Sequence, residues 1–142
     1  MRRILFGSFV ATAMLAATLT AAPKPTVPAT IALTVPATLL TAFQAGTWPA
    51  LGDQVTFAVS YPKIVGNNGA RIQVMCYQGD ALVYGEAGPF NQAFLLGGAG
   101  SIWLYTSQGP AHCVADLYYW SYQGSQKFNW LATTEFDAAG AQ

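Results

Sequence analysis

A chain of 142 residues that is 53% apolar and only 8% charged has the composition of one compact domain and excludes intrinsic disorder. From Pro23 onward Lys24, Lys63, Arg71 and Lys127 stand against Asp53, Asp80, Glu86, Asp116, Glu135 and Asp137, four cations to six anions or −2. That balance provides no basic stripe for a phosphate backbone, so nucleic acid is excluded as a partner, and it leaves few side chains for acid–base chemistry.

Residues 1–22, MRRILFGSFVATAMLAATLTAA, begin with Arg2 and Arg3, continue as an apolar run from Ile4 to Leu19 and end among small residues. This three-part pattern predicts an apolar helical leader that acts as a secretory signal peptide cleaved near residue 22. Membrane contact is expected only if the leader is retained uncleaved. Residues 23–30, PKPTVPAT, carry three prolines in eight positions, which forbids helix and predicts an extended linker. A folded domain is expected over 31–137, with 138–142 as a small-residue tail.

From Ile31 onward short β-branched and aromatic runs are punctuated by Gly, Pro, Asn and Asp, and no segment holds a 3.6-residue apolar period. IALTV is the first predicted strand, followed by an irregular LLTAFQAGTWPALGD. In QVTFAVSY the residues Val55, Phe57, Val59 and Tyr61 alternate with polar or small ones, so one face is buried. Asn67, Asn68 and Gly69 suit a tight connection into RIQVMCYQ, where Ile72, Val74 and Cys76 share the inward face. Gly79 and Asp80 turn the chain into ALVYGE, AGPFNQ interrupts it before AFLL, and GGAGS reads as a flexible turn before IWLYT. SQGPA then leads into AHCVADLYYW, in which Cys113, Ala115, Leu117 and Tyr119 face one way and His112, Val114, Asp116, Tyr118 and Trp120 the other. YQGSQK turns into a last strand, FNWLATTEF. The expectation is an all-β, two-sheet antiparallel sandwich of seven to nine strands.

The series LGDQVTFAVSYP, RIQVMCYQGDALVYGE, GPAHCVADLYYW and LATTEF resembles immunoglobulin-like domains of actinobacterial exported proteins and of the phages that infect them. The resemblance covers about residues 50–137 and matches the four pieces to strands B, C with C′, F and G. It implies an immunoglobulin-like sandwich used for adhesion, display or virion decoration, with no catalytic residues to transfer. The antibody pattern itself is not kept. Phe57 and Val59 occupy the B-strand positions where a cysteine would sit, no tryptophan follows Cys76 at the C-strand distance, and no tyrosine stands two residues before Cys113.

Cys76 and Cys113 both face inward by alternation in a chain with an export signal, which predicts a structural disulfide. His112 points away from Cys113 on an extended strand, so the pair is not a nucleophile with its base. His112 and Asp116 share a face about 13 Å apart with no second histidine, so no metal is expected. Asp80 and Glu86 are a formal carboxylate pair at turn and strand-end positions where solvated carboxylates are common. The protein is therefore expected to be no enzyme and to carry no cofactor.

Nine aromatics follow residue 100: Trp103, Tyr105, Tyr118, Tyr119, Trp120, Tyr122, Phe128, Trp130 and Phe136. Tyr119 and Phe136 are expected in the core. Tyr118, Trp120 and Trp130, with Tyr122 and Trp103, are the candidate contact residues. The partner is a protein or a cell or virion surface, a glycan being the alternative, and an assembly would make the chain a homo-oligomer.

Overall fold

The inward face of RIQVMCYQ organises the molecule: Ile72, Val74 and Cys76 are fully buried while the residues between them are half-exposed. A computed structural model describes the protein over residues 28–63 and 69–142. The predicted leader 1–22, residues 23–27 of the Pro-rich segment, and Asn67 and Asn68 of the expected tight connection lie outside the described residues. The strands are β1 (Thr30–Leu33), β2 (Gln54–Val55), β3 (Phe57–Ser60), β4 (Arg71–Gln78), β5 (Ala81–Pro89), β6 (Phe94–Leu95), β7 (Ala111–Gln123) and β8 (Ser125–Ala138). The described chain is thus mostly antiparallel β-structure, as the short alternating runs predict.

Four strands form one sheet in the order β5-β4-β7-β8. Its inner face carries Ile72, Val74 and Cys76 of β4, Cys113, Ala115 and Leu117 of β7, and Phe136 and Ala138 of β8. Two ribbons, β1 with β3 and β2 with β6, supply the opposing layer. They contribute Ile31, Val55, Phe57 and Phe94, and Phe57 meets Phe94 and Phe136 at ring centroids 6.0 Å apart. Each fully buried large side chain contributes about 1.5–3 kcal/mol by leaving water, so this interleaved layer is the main source of stability.

Several elements differ from the sequence expectation. IWLYT is no strand but a 3₁₀ turn over Trp103–Tyr105, because its one tryptophan is drawn entirely into the core. There the Trp103 indole N–H donates to the Gly109 carbonyl at 2.9 Å, and Ser101 Oγ holds the turn by donating to the Val83 carbonyl at 2.7 Å. The irregular segment after β1 contains a 3₁₀ turn at Ala37–Leu39 and a short helix α1 (Leu40–Gln44). AGPFNQ does not stop β5 at once, since pairing with β4 runs on to Pro89.

The interruption before the last strand is also shorter than expected. β7 and β8 are paired from Ala111↔Ala138 to Gln123↔Ser125, and the reversal falls on Gly124 at φ 78°, a left-handed conformation that a residue with a Cβ adopts at a cost. The small-residue tail is docked rather than loose. Ala139 N–H donates to the Pro49 carbonyl, Leu51 N–H to the Ala139 carbonyl, Ala141 N–H to the Gln108 carbonyl, and Gln142 Nε2 to the Thr47 carbonyl.

Candidate functional site

β4 stops pairing with β7 at Tyr118, opposite Arg71, but β7 and β8 continue together for five more residue pairs. The result is a two-stranded arm that extends past the end of the four-stranded sheet. Ribbons of this kind are marginal in water unless side chains on one face hold them. Here Tyr118, Trp120, Phe128 and Trp130 do so, with Tyr118 and Phe128 stacked at 4.6 Å and Phe128 against Trp130 at 4.6 Å and 67°. Trp120 stands edge-on to Phe128 at 4.8 Å and 78° and to Tyr118 at 6.2 Å and 90°. The other face of the arm is polar, with Asn129 Nδ2 donating to Ser121 Oγ at 3.0 Å.

A bulge puts these rings on one side. Alternation counted back from buried Phe136 through Thr134 and Ala132 would turn Trp130 and Phe128 inward. The register shifts between Leu117 and Tyr118: Leu117 pairs with Ala132 but Tyr118 pairs with Trp130, so Leu131 is the extra residue. Below Leu131 the strand faces the core, and above it the strand faces away, across from Tyr118 and Trp120.

The candidate contact residues therefore separate into three groups. Trp130 and Tyr122 are exposed, at 57% and 55%, and Trp120 is half-buried beside them. Tyr118, at 5%, is the floor of the cluster and not part of its outer surface. Trp103 has no exposure at all and lies in the core, which removes it as a contact residue. Tyr119 corrects the opposite expectation. It is half-exposed and absent from the core, because it lies one residue beyond the end of β4. Phe128 is a further member of the cluster: the bulge that brings Trp130 across from Tyr118 also brings Phe128 across from Trp120.

The disulfide expected from the sequence is formed. Cys76 and Cys113 are directly opposite in the β4–β7 register, their Cα atoms 4.0 Å apart, so the bridge ties two neighbouring strands of one sheet. His112 is turned to the other face. Its Nδ1 lies 2.9 Å from Asp137 Oδ1 and its Nε2 3.4 Å from Glu135 Oε2, both partners on β8. The hydrogen bond to Asp137 holds the imidazole pKa above its ordinary value, helped by the charges of Asp137 and Glu135 and opposed by slight desolvation.

Asp80 and Glu86 do not meet. They are separated by six residues along one strand, about 20 Å at about 3.3 Å per residue, well beyond the ~5–9.5 Å of a glycosidase pair. Glu86 is instead fixed by Tyr84 OH and Gln92 Nε2, each donating at 2.7 Å. Burial, and then the neighbouring carboxylate, push the Tyr84 phenol far above its ordinary range, so it is a permanent donor. Among the described residues no group of three or more His, Cys, Asp or Glu side chains is arranged to hold a metal ion. No family model, curated protein or solved structure matches the chain.

Proposed function

We propose that the protein is an exported, non-catalytic binding or display domain of immunoglobulin-like architecture, attached to a cell or virion surface through the aromatic face of the β7–β8 arm. The observation that carries this reading is the arm itself, which keeps Trp130, level with the end of β4, and Trp120, Tyr122 and Phe128 beyond it on a face turned away from the core. Four rings gathered where they add nothing to the main core are better explained by a partner than by stability.

The strand order supports the architecture. Lettered as in an immunoglobulin-like domain, β5-β4-β7-β8 corresponds to C′-C-F-G, and the ribbons β1–β3 and β2–β6 to A-B-E. The disulfide departs from the antibody arrangement, since it joins C to F within one sheet. It supports an oxidising compartment, in keeping with the export pattern of the leader. Oxidation of Cys113, which leaves no thiol, and the turn of His112 to the face opposite it support a role without catalysis.

A protein surface suits the arm better than a polysaccharide. Sugar rings stack on aromatic faces presented side by side, whereas here Trp120 stands at 78° to Phe128 and Phe128 at 67° to Trp130, so ring edges and faces are spent on one another.

Fractionation of the exporting cells is the test. The wild-type chain is expected outside the cell and retained on the surface, and a Trp120→Ala/Trp130→Ala chain is expected to be exported, folded and released into the medium. Equal surface retention of the two would remove the arm from the account.

A further inference from the structure

The sheet has two unlike ends. At the upper end lie Lys63, the β5 terminus at Pro89 and the aromatic arm. At the lower end lie the Gly79–Asp80 turn, the 96–110 loops and residues 139–142, which are bonded to Gln108 and Pro49. The eight residues of β4 separate them by about 25 Å. The exposed large apolar side chains divide between these ends. Tyr122 and Trp130 are at the upper one, and Leu95, Ile102, Leu104 and Tyr105 are the chief ones at the lower. Between Leu51, Leu95, Leu96 and Leu104 the lower end forms an open groove of about 340 Å³ with no charged residue in its lining.

Charge divides the same way. The lysines and arginine of the described residues, Lys63, Arg71 and Lys127, are all at the upper end, and none makes an ion pair among the described residues. The exposed acids Asp80, Glu135 and Asp137 are all in the lower half, the last two on either side of His112, as is Asp53, which accepts from the Ala50 N–H at 2.9 Å. Glu86 and Asp116, at mid-sheet, are engaged by Tyr84 with Gln92 and by Thr133 respectively.

We propose that the protein binds a second copy of itself head to tail, the cationic aromatic arm of one copy seated on the acidic, leucine-lined lower end of the next. The proposal rests on the reading of the arm as a contact face and names its partner, another copy already held on that surface. Charge decides the geometry. Joining two upper ends or two lower ends sets like charges together, whereas upper on lower pairs opposite signs around an apolar centre. A contact between different surfaces leaves one of each free at the ends, so it propagates into an open chain, or a ring where the rotation closes, instead of closing as a two-fold dimer.

A mixing experiment tests this, with Trp130→Ser for the upper surface and Leu104→Asp for the lower, both at exposed positions and both checked for fold by circular dichroism. In sedimentation velocity the wild type is expected to form species that lengthen with concentration. Each variant alone is expected to be a monomer, and the equimolar mixture to give a dimer and nothing larger. A Leu104→Asp chain that still dimerises would mean arm-to-arm pairing and overturn the proposal. So would a wild type that remains monomeric at about 1 mM, whether or not it floats with phosphatidylglycerol vesicles; flotation would assign the cationic end to a lipid surface. Monomeric wild type leaves the arm available for another partner, whereas association indifferent to Trp130→Ser removes the arm as a contact face altogether.

Discussion

Trp120 and Phe128 face each other across the β7–β8 arm in direct register, ring centroids 4.8 Å apart and planes at 78°. The pair sits two residues past the last β4 contact, so it holds a piece of structure that the main core does not reach. A double-mutant cycle with Trp120→Ala and Phe128→Ala is expected to give a coupling of about 0.5–1.5 kcal/mol. In hydrogen exchange either variant is expected to lose protection between residues 119 and 129 while β4 keeps its own. Loss of protection throughout the sheet would mean that the arm and core unfold as one unit.

The Cys76–Cys113 bridge closes a loop with a sequence separation of 37. On the chain-entropy model this constrains the unfolded state enough to stabilise by about 4 kcal/mol. Both sulfurs are fully buried, so a Cys76→Ala/Cys113→Ala chain also loses packing, and Cys76→Val/Cys113→Ala is the better comparison. Thermal melts are expected to show a clear drop in midpoint for either double variant. An unchanged midpoint would mean that the sheet alone restricts this loop.

Much of the architecture follows from period-two alternation, and the failures have local causes. Ile72, Val74 and Cys76 are buried because β4 is a regular central strand in which facing and sequence parity agree. Parity gives the right face for Tyr118 and Trp120, yet it misleads for Trp130, which joins them only because Leu131 breaks the phase. IWLYT is apolar at nearly every position, so it carried no alternation to read, and the burial of one indole decided its structure. Tyr119 has the right parity for the core but lies past the edge of β4, and sequence does not reveal where a neighbouring strand ends.

His112 is the one histidine of the chain, so its titration can be followed by NMR without assignment of others. Its pKa is expected above the ordinary histidine value, and Asp137→Asn should lower it more than Glu135→Gln, since the hydrogen bond to Asp137 is the largest contribution. A folded-state pKa above the unfolded one means the protonated form is favoured by folding. The added stability is therefore present below the ordinary histidine pKa of about 6.5 and is lost as pH rises through the raised value. His112 and both carboxylates are exposed, so the effect on the melting midpoint should be slight and weakened by salt. An imidazole that titrates alike in wild type and Asp137→Asn would rule out the contact in solution.

Gly140 tests whether the last residues are part of the fold. A Cβ there would run into the Gln108 carbonyl oxygen and lie 2.9 Å from both Gly109 C and Gly109 Cα, all backbone atoms with no rotamer to escape into. Gly140→Ala must therefore push the terminal segment off the 108–109 loop and break the bond from Ala141 N–H to the Gln108 carbonyl. The same loop accepts the Trp103 indole N–H and Gln78 Nε2 at the Gly109 carbonyl, so the displacement reaches the core and the end of β4. Overpacking of this kind costs about 1–3 kcal/mol. Ala141→Gly, at an exposed neighbour, is the control and is expected to change stability by under about 1 kcal/mol. Equal melting of Gly140→Ala and wild type would mean that the terminal segment is not docked, and the lower end of the sheet would then be bounded by the 96–110 loops alone.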